Sequence, residues 1–389
     1  MKRIRFGLLP RVIVAIALGI VLGNVLPGWA VRCFVTFNSV FGNFLSFLIP
    51  LIIVGLVTPA IAFMGKGAGR LLLVTVLIAY GDTVLSGLFS YLTSTAVFPS
   101  LISAGASRQI AQAEELQPFF TVTIPPLMDV MSALVLAFTL GLGMSFFDSS
   151  SLKHGFSEFK DIIAKAIEVA LIPILPLYIM GIFMNMAFTG QAWHIVNVFI
   201  SIIGVIFAMH IVLLLLQYCA AGAIARRHPL KALSTMLPAY FTALGTSSSA
   251  ATIPVTLAQT RKNGVDEGVA GFVVPLCATI HLSGSTMKIT ACAVALLLMQ
   301  GVAIDFGTFV GFILMLGVMM VAAPGVPGGA IMAALGVLQG ILGFDASQQA
   351  LMIALYITMD SFGTACNVTG DGAIALIVNR LHAGAQPQK

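Results

Sequence analysis

Charge is scarce in this sequence. Of 389 residues, 8% are Asp, Glu, Lys or Arg and 59% are hydrophobic. A soluble globular domain carries about a quarter charged residues. A mean hydropathy of +1.05 excludes a water-soluble fold and predicts an all-α polytopic membrane protein, one helical bundle without a soluble domain. The formal net charge of +5 does not indicate nucleic acid; it reflects basic loops on one side of a membrane. Cysteine is also sparse. Cys33, Cys219, Cys277, Cys292 and Cys366 are scattered, odd in number and without metal-ligand spacing, so they read as small core residues. No nucleotide-binding loop, histidine cluster or nucleophile–base pair occurs, and His154, His194, His210, His228 and His382 stand isolated. The expectation is a protein that is not an enzyme and carries no organic cofactor.

What is present is long apolar runs. Hydropathy gives six ordinary spans at about 8–29, 36–63, 71–97, 126–147, 162–188 and 194–224, each near the length a bilayer core requires. The basic start, Met1-Lys-Arg-Ile-Arg, has no small-x-small cleavage site after it and reads as the cytoplasmic lead of the first span. Further on, Pro238–Leu257 and Met315–Leu342 are broken by G-T-S-S-S-A-A-T-I-P and A-A-P-G-V-P-G-G. Irregular backbone at membrane depth survives only where protein or a water-filled cavity covers it. Both segments therefore predict re-entrant helical hairpins, with full spans at 267–300 and 347–379. The expected architecture is eight transmembrane helices, two hairpins and both termini cytoplasmic. Basic residues support it: from Lys2, Arg3 and Arg5 to Arg380 and Lys389 they fall inside, while Arg32 and Arg108 fall outside and Lys288 alone lies deep. Hairpin followed by polar-interrupted span occurs twice, at 235–300 and 310–379. Opposed broken elements in corresponding positions point to a midplane binding site of a secondary transporter.

The last span carries the most costly residues. Asp360, Asn367 and Asp371 stand at i, i+7 and i+11 in M-D-S-F-G-T-A-C-N-V-T-G-D. On a helix they lie within roughly 40° of one another along about 16 Å of axis. Carboxylates at that depth are expensive unless they meet something charged. Serine-rich hairpin tips at Ser247, Ser248 and Ser249 offer hydroxyls and N–H groups suited to a substrate carboxylate. A channel is the reading from a different class, because broken helices and buried acids occur there too.

The final third resembles the dicarboxylate/amino acid:cation symporter family, which includes the glutamate transporters and the bacterial serine/threonine transporter. T-S-S-S-A-A-T-I-P-V-T is similar to the family's T-R-S-S-S-G-T-L-P-V-T. Pro324–Gly328 stands for its A-G-V-P-G, and N-V-T-G-D at Asn367–Asp371 matches outright. P-L-C-A-T-I-H-L-S-G-S stands where the family has P-L-G-A-T-I-N-M-D-G-T. The resemblance implies the glutamate-transporter elevator fold, a homotrimer among membrane lipids, and a bacterial inner-membrane location. It divides the chain into 1–230, the first six spans, and 231–389, the transport core. Spans 1, 2, 4 and 5 would be scaffold; spans 3 and 6 would join the core.

It also implies the site. The substrate set is Ser247, Ser248, Ser249, Gly325, Val326, Gly328, Asp360, Gly363, Thr364 and Asn367, with Asp360 on the substrate's α-amino group. Members for acidic substrates carry arginine where this chain has Gly363. A bidentate carboxylate partner is therefore missing, and a small neutral amino acid of serine, threonine or alanine type is expected. A dicarboxylate or acidic amino acid is the alternative. For sodium the resemblance gives Asn367 and Asp371 with carbonyls of Thr279–His281, and a second site of carbonyls at Met320–Ala323, Thr279 and Leu282. At a third, the family's Asn and Asp are His281 and Ser283 here, while Asp82 and Thr83 stand in span 3. The expectation is that Asp82 replaces the missing carboxylate. Lys288 would then pair with Asp82 as a tethered cation, or His281 would bring in a proton.

Overall fold

A computed structural model describes residues 8–63, 70–102, 116–147, 150–190, 192–323 and 327–383. Among the described residues the chain is helix and connection, without strands. The long apolar helices are α1 (Leu8–Val25), α2 (Gly28–Phe63), α3 (Arg70–Leu101), α4 (Val130–Phe147) and α7 (Ala192–Ala225). Between the last two, α5 (Ser150–Ala166) runs through a π turn at Ile167–Leu171 into α6 (Ile172–Phe188). Then come α8 (Pro229–Thr246), α9 (Ser249–Lys262), α10 (Glu267–Ile280), α11 (Ser283–Met299), α12 (Phe306–Ala322), α13 (Gly329–Leu342), α14 (Ala346–Thr358) and α15 (Asp360–Ala383).

Among the described residues, six helical stretches are long and apolar enough to cross a membrane, or seven if the bent pair α14–α15 counts as one span. This is a multi-pass membrane protein. Two expected spans differ in detail. The one at 126–147 begins at Val130, because Pro125 and Pro126 precede it; proline restricts the residue before it and offers no N–H to a preceding turn. The helix starts at Asp129, whose carboxylate accepts from the Ser132 N–H at 2.9 Å. The span at 347–379 is not continuous: α14 and α15 meet at 63°, with Met359 between them.

The two broken segments are helix–turn–helix pairs, α8 with α9 and α12 with α13, each pair packed on itself. In the first, Ser247 turns the chain in the left-handed region at φ 50°. Ser248 then caps α9, its hydroxyl accepting from the Ala251 N–H at 3.3 Å. A serine cap is worth about 1 kcal/mol. In the second, Gly328 holds φ 77°, a conformation that penalises any Cβ. Asp266, Asp305 and Asp345 cap α10, α12 and α14.

Two sets of helices differ in how they are joined. α1 lies on α6 and α2 on α4 and α6, through apolar surfaces. The closest seam is a G-x-x-x-G ridge: a Cβ at Gly19 would stand 2.5 Å from the Met180 carbonyl oxygen, and one at Gly23 would strike that of Met184. Small residues let backbones approach this way inside a membrane. The other set is tied by polar bonds. Ser86 and Ser90 on α3 donate to the carbonyls of Ser283 and Met287 at 2.9 and 2.7 Å. Tyr218 on α7 donates to the Thr369 carbonyl at 2.8 Å.

Candidate functional site

The polar stripe expected on the last span lies on one unbroken helix, since α15 starts at Asp360 itself. Asp360, Asn367, Thr369 and Asp371 are all buried. Burial obliges each to find a partner, and the partners separate the stripe into two centres.

At the α15 start, the Gly328 N–H, just before α13, donates to Asp360 Oδ2 at 2.9 Å. Lys288 Nζ, on α11, lies 3.7 Å from Asp360 Oδ1 and donates to the Met359 carbonyl at 3.2 Å. It also sits 3.8 Å from the centre of the Tyr356 ring, a cation–π distance. The Ser247 and Ser361 hydroxyls share a hydrogen bond of 2.6 Å. Thr364 is turned to its own helix, donating to the Asp360 carbonyl at 2.9 Å. A cavity opens between these groups, lined by Ser247, Ser248, Ser249, Asp360, Thr364 and Asn367 among others. Six of the expected substrate residues thus share one space. Gly363 lies beside it, and Gly325 and Val326 lie outside the described residues.

About two turns deeper, Asn367 Oδ1 accepts from the Gly284 and Ser285 N–H groups at 2.8 and 3.3 Å, the open start of α11. Asn367 Nδ2 donates to Ser285 Oγ at 3.2 Å, which is bonded in turn to the Tyr356 hydroxyl at 2.9 Å.

The second centre surrounds His281, in the two-residue break between α10 and α11. Its Nδ1 is 2.8 Å from Asp371 Oδ1 and its Nε2 is 2.7 Å from Asp82 Oδ2. Gln217 on α7 donates to the same Asp82 oxygen at 2.6 Å and to Ser283 Oγ at 3.1 Å. A neutral imidazole carries one N–H. Two short nitrogen–carboxylate contacts therefore need two protons among the three groups, leaving the trio at one net negative charge. Room for the imidazole comes from Gly370, where a Cβ would stand 2.8 Å from His281 Cε1.

The expected ion residues distribute unevenly. Asp82, His281, Ser283 and Asp371 come together through Gln217. Thr83 and Thr279 donate to their own helices, at Ala79 and Leu276. The Leu282 carbonyl accepts from Thr286 and that of Met320 from the Ala323 N–H. Thr279, Leu282 and Ala323 border the cavity at Asp360. One expectation is corrected. Lys288 does not pair with Asp82; it pairs with Asp360, because its side chain leaves α11 toward the α15 start while Asp82 is already engaged by His281 and Gln217. Its side chain is fully buried.

Gln217, Tyr356, Ser285 and Ser361 were not anticipated. Gln217 had a signal, as a lone amide in the apolar run V-L-L-L-L-Q-Y.

Residues 8–381 match the model of the sodium:dicarboxylate symporter family. The chain belongs to this family. It is 24% identical over 394 aligned residues to the serine/threonine transporter SstT of Acinetobacter baylyi, covering 97% of this chain and 98% of that protein. To the human excitatory amino acid transporter 2 it is 33% identical over 159 residues, 41% of this chain and 28% of the relative. To the human excitatory amino acid transporter 1 it is 32% identical over 181 residues, 46% and 32% respectively. The match thus spans less than a third of the length of the excitatory amino acid transporters. The family's description is that of a sodium-coupled symporter, and these relatives are named as transporters.

Proposed function

We propose that the chain is a sodium-coupled symporter of a small neutral amino acid of serine, threonine or alanine type. The observation that carries this reading is the cavity between the first hairpin and α15. It offers serine hydroxyls and the α9 start for a carboxylate, and the Asp360 carboxylate for an ammonium. Gly363 leaves no side chain to grip an acidic one. The full-length likeness to a serine/threonine transporter supports the same class.

Sodium is the cargo that supplies the driving force. Asp371 and Asn367 are the residues we assign to it, with Thr279, Leu282, Met320 and Ala323 as neighbouring carbonyl donors, and Asp82, Thr83, His281 and Ser283 as a third, altered locus where a proton is the alternative ion. Hard cations take oxygen ligands, which these residues supply.

The joining of the helices supports an elevator-like motion. α3, α7 and everything from α8 to α15 share polar bonds, while α1, α2, α4 and α6 face them with apolar surface, apart from contacts such as the Tyr178 hydroxyl on the Ala346 carbonyl at 3.1 Å. A polar-bonded body against an apolar wall can move as a unit. Three such chains in a ring in a bacterial inner membrane complete the proposal.

Uptake by proteoliposomes, with a panel of amino acids and with or without a sodium gradient, tests it. Sodium-dependent serine uptake with labelled-for-unlabelled exchange is expected. Leak without exchange would indicate a channel. An acidic amino acid is the second reading, favoured by Lys288 lying where a side chain at position 363 would project.

A further inference from the structure

Asp360 is the group to which the proposed function gives the substrate's ammonium, yet it already faces one. Lys288 Nζ stands 3.7 Å from its Oδ1, while its Oδ2 is taken by the Gly328 N–H. A second ammonium brought to Oδ1 would meet the first at short range, and like charges in a desolvated site repel strongly.

Three features show that Lys288 is built to be there. The side chain is fully buried, and an unpaired buried ammonium is costly. Gly363 clears its path, since a Cβ there would collide with Lys288 Cε and Nζ. And the α14–α15 break presents the Met359 carbonyl beside it.

The contact with Asp360 is nevertheless loose. At 3.7 Å it is longer than a charge-assisted hydrogen bond of about 2.8 Å. The ammonium has two further partners that do not depend on Asp360: the Met359 carbonyl at 3.2 Å and the Tyr356 ring face at 3.8 Å. It can therefore yield the carboxylate without becoming stranded.

We propose that Lys288 is an intramolecular stand-in for the substrate's ammonium at Asp360, and that substrate selection is a contest between the two. A ligand with an α-amino group takes Oδ1 from the lysine, which keeps its contacts with Met359 and Tyr356. A carboxylate of the same size without an amino group leaves the Lys288–Asp360 pair intact and still binds. The site thus accepts 2-hydroxy carboxylates beside amino acids, with a narrower preference between them than Asp360 alone would impose. This rests on the amino-acid reading of the site.

Serine and glycerate, which differ by ammonium against hydroxyl at the second carbon, make the test. Their dissociation constants are measured on purified wild-type protein and on Lys288→Met, both in sodium. Wild type is expected to bind both. In Lys288→Met, serine should tighten about tenfold while glycerate stays level or weakens, as expected when a buried competing cation is removed. Equal changes for both ligands would overturn the contest and leave Lys288 a packing residue. Weakening of both would overturn it too, marking Lys288 as a partner of the ligand's carboxylate. If wild type binds glycerate but no amino acid, the functional reading falls and the inference with it; if it binds serine and the ratio is unmoved in the variant, the inference alone falls. Should Lys288→Met fail to fold, Lys288→Gln, whose amide still donates to Met359, is measured against the same two ligands and outcomes.

Discussion

Gly363 and Lys288, on different helices, occupy one another's space: the missing Cβ of the first is filled by the ammonium end of the second. The glycine and the lysine are therefore a single feature. Gly363→Ala should push the ammonium off Asp360. We expect lower thermal stability, by about 1–3 kcal/mol for an overpacked buried position. The serine-to-glycerate preference should shift in the same direction as in Lys288→Met. Gly363→Arg alone should abolish uptake, because two cations cannot share the space. Gly363→Arg with Lys288→Ala should recover uptake and admit aspartate; a double variant confined to neutral amino acids would place the side-chain pocket elsewhere.

His281 holds two carboxylates apart, Asp82 at 2.7 Å and Asp371 at 2.8 Å. His281→Ala should cost about 3–5 kcal/mol, the scale of a buried ionic network left without one partner. Adding Asp82→Asn removes one of the stranded charges and should return part of the loss. Thermal unfolding in detergent measures both. Additive losses would mean that the imidazole and Asp82 do not interact.

Asp371→Asn keeps the size of the side chain and removes its charge. Sodium-dependent uptake should fall sharply, with the sodium concentration for half-maximal rate rising by at least tenfold. A wild-type sodium dependence in this variant sinks the assignment of Asp371 to the ion.

Along the other seam, Gly23→Leu places a side chain against the Met184 carbonyl, where even a Cβ does not fit. α1 must then leave α6. We expect a destabilised protein with altered oligomer size on gel filtration in detergent. Leu18→Ala on the exposed face of the same helix should leave both unchanged.

The chain's helical, membrane-crossing nature was legible from apolar length alone, and the breaks between α8 and α9 and between α12 and α13 from where proline, glycine and serine interrupt it. The stripe Asp360–Asn367–Asp371 was legible because helical period is a property of spacing. Partnership was not. Nothing in the sequence says that Lys288 reaches Asp360 rather than Asp82, since that depends on the direction in which α11 presents it and on the 63° turn that brings Met359 under its ammonium. The G-x-x-x-G of α1 is visible in the sequence, but that it faces α6 is not. Gln217 was visible as an oddity, but its role needed α3 and α11 beside it.

His281 and Asp82 are 199 positions apart in the chain. At a synthesis rate of about 5–20 residues per second, Asp82 is made roughly 10–40 s before the imidazole that neutralises it. Until Gln217 is made, 135 positions on, the Asp82 carboxylate rides in α3 with neither of these hydrogen-bond partners, and until His281 with only one. Chains stopped before His281 should therefore be less well retained in the bilayer than the full chain.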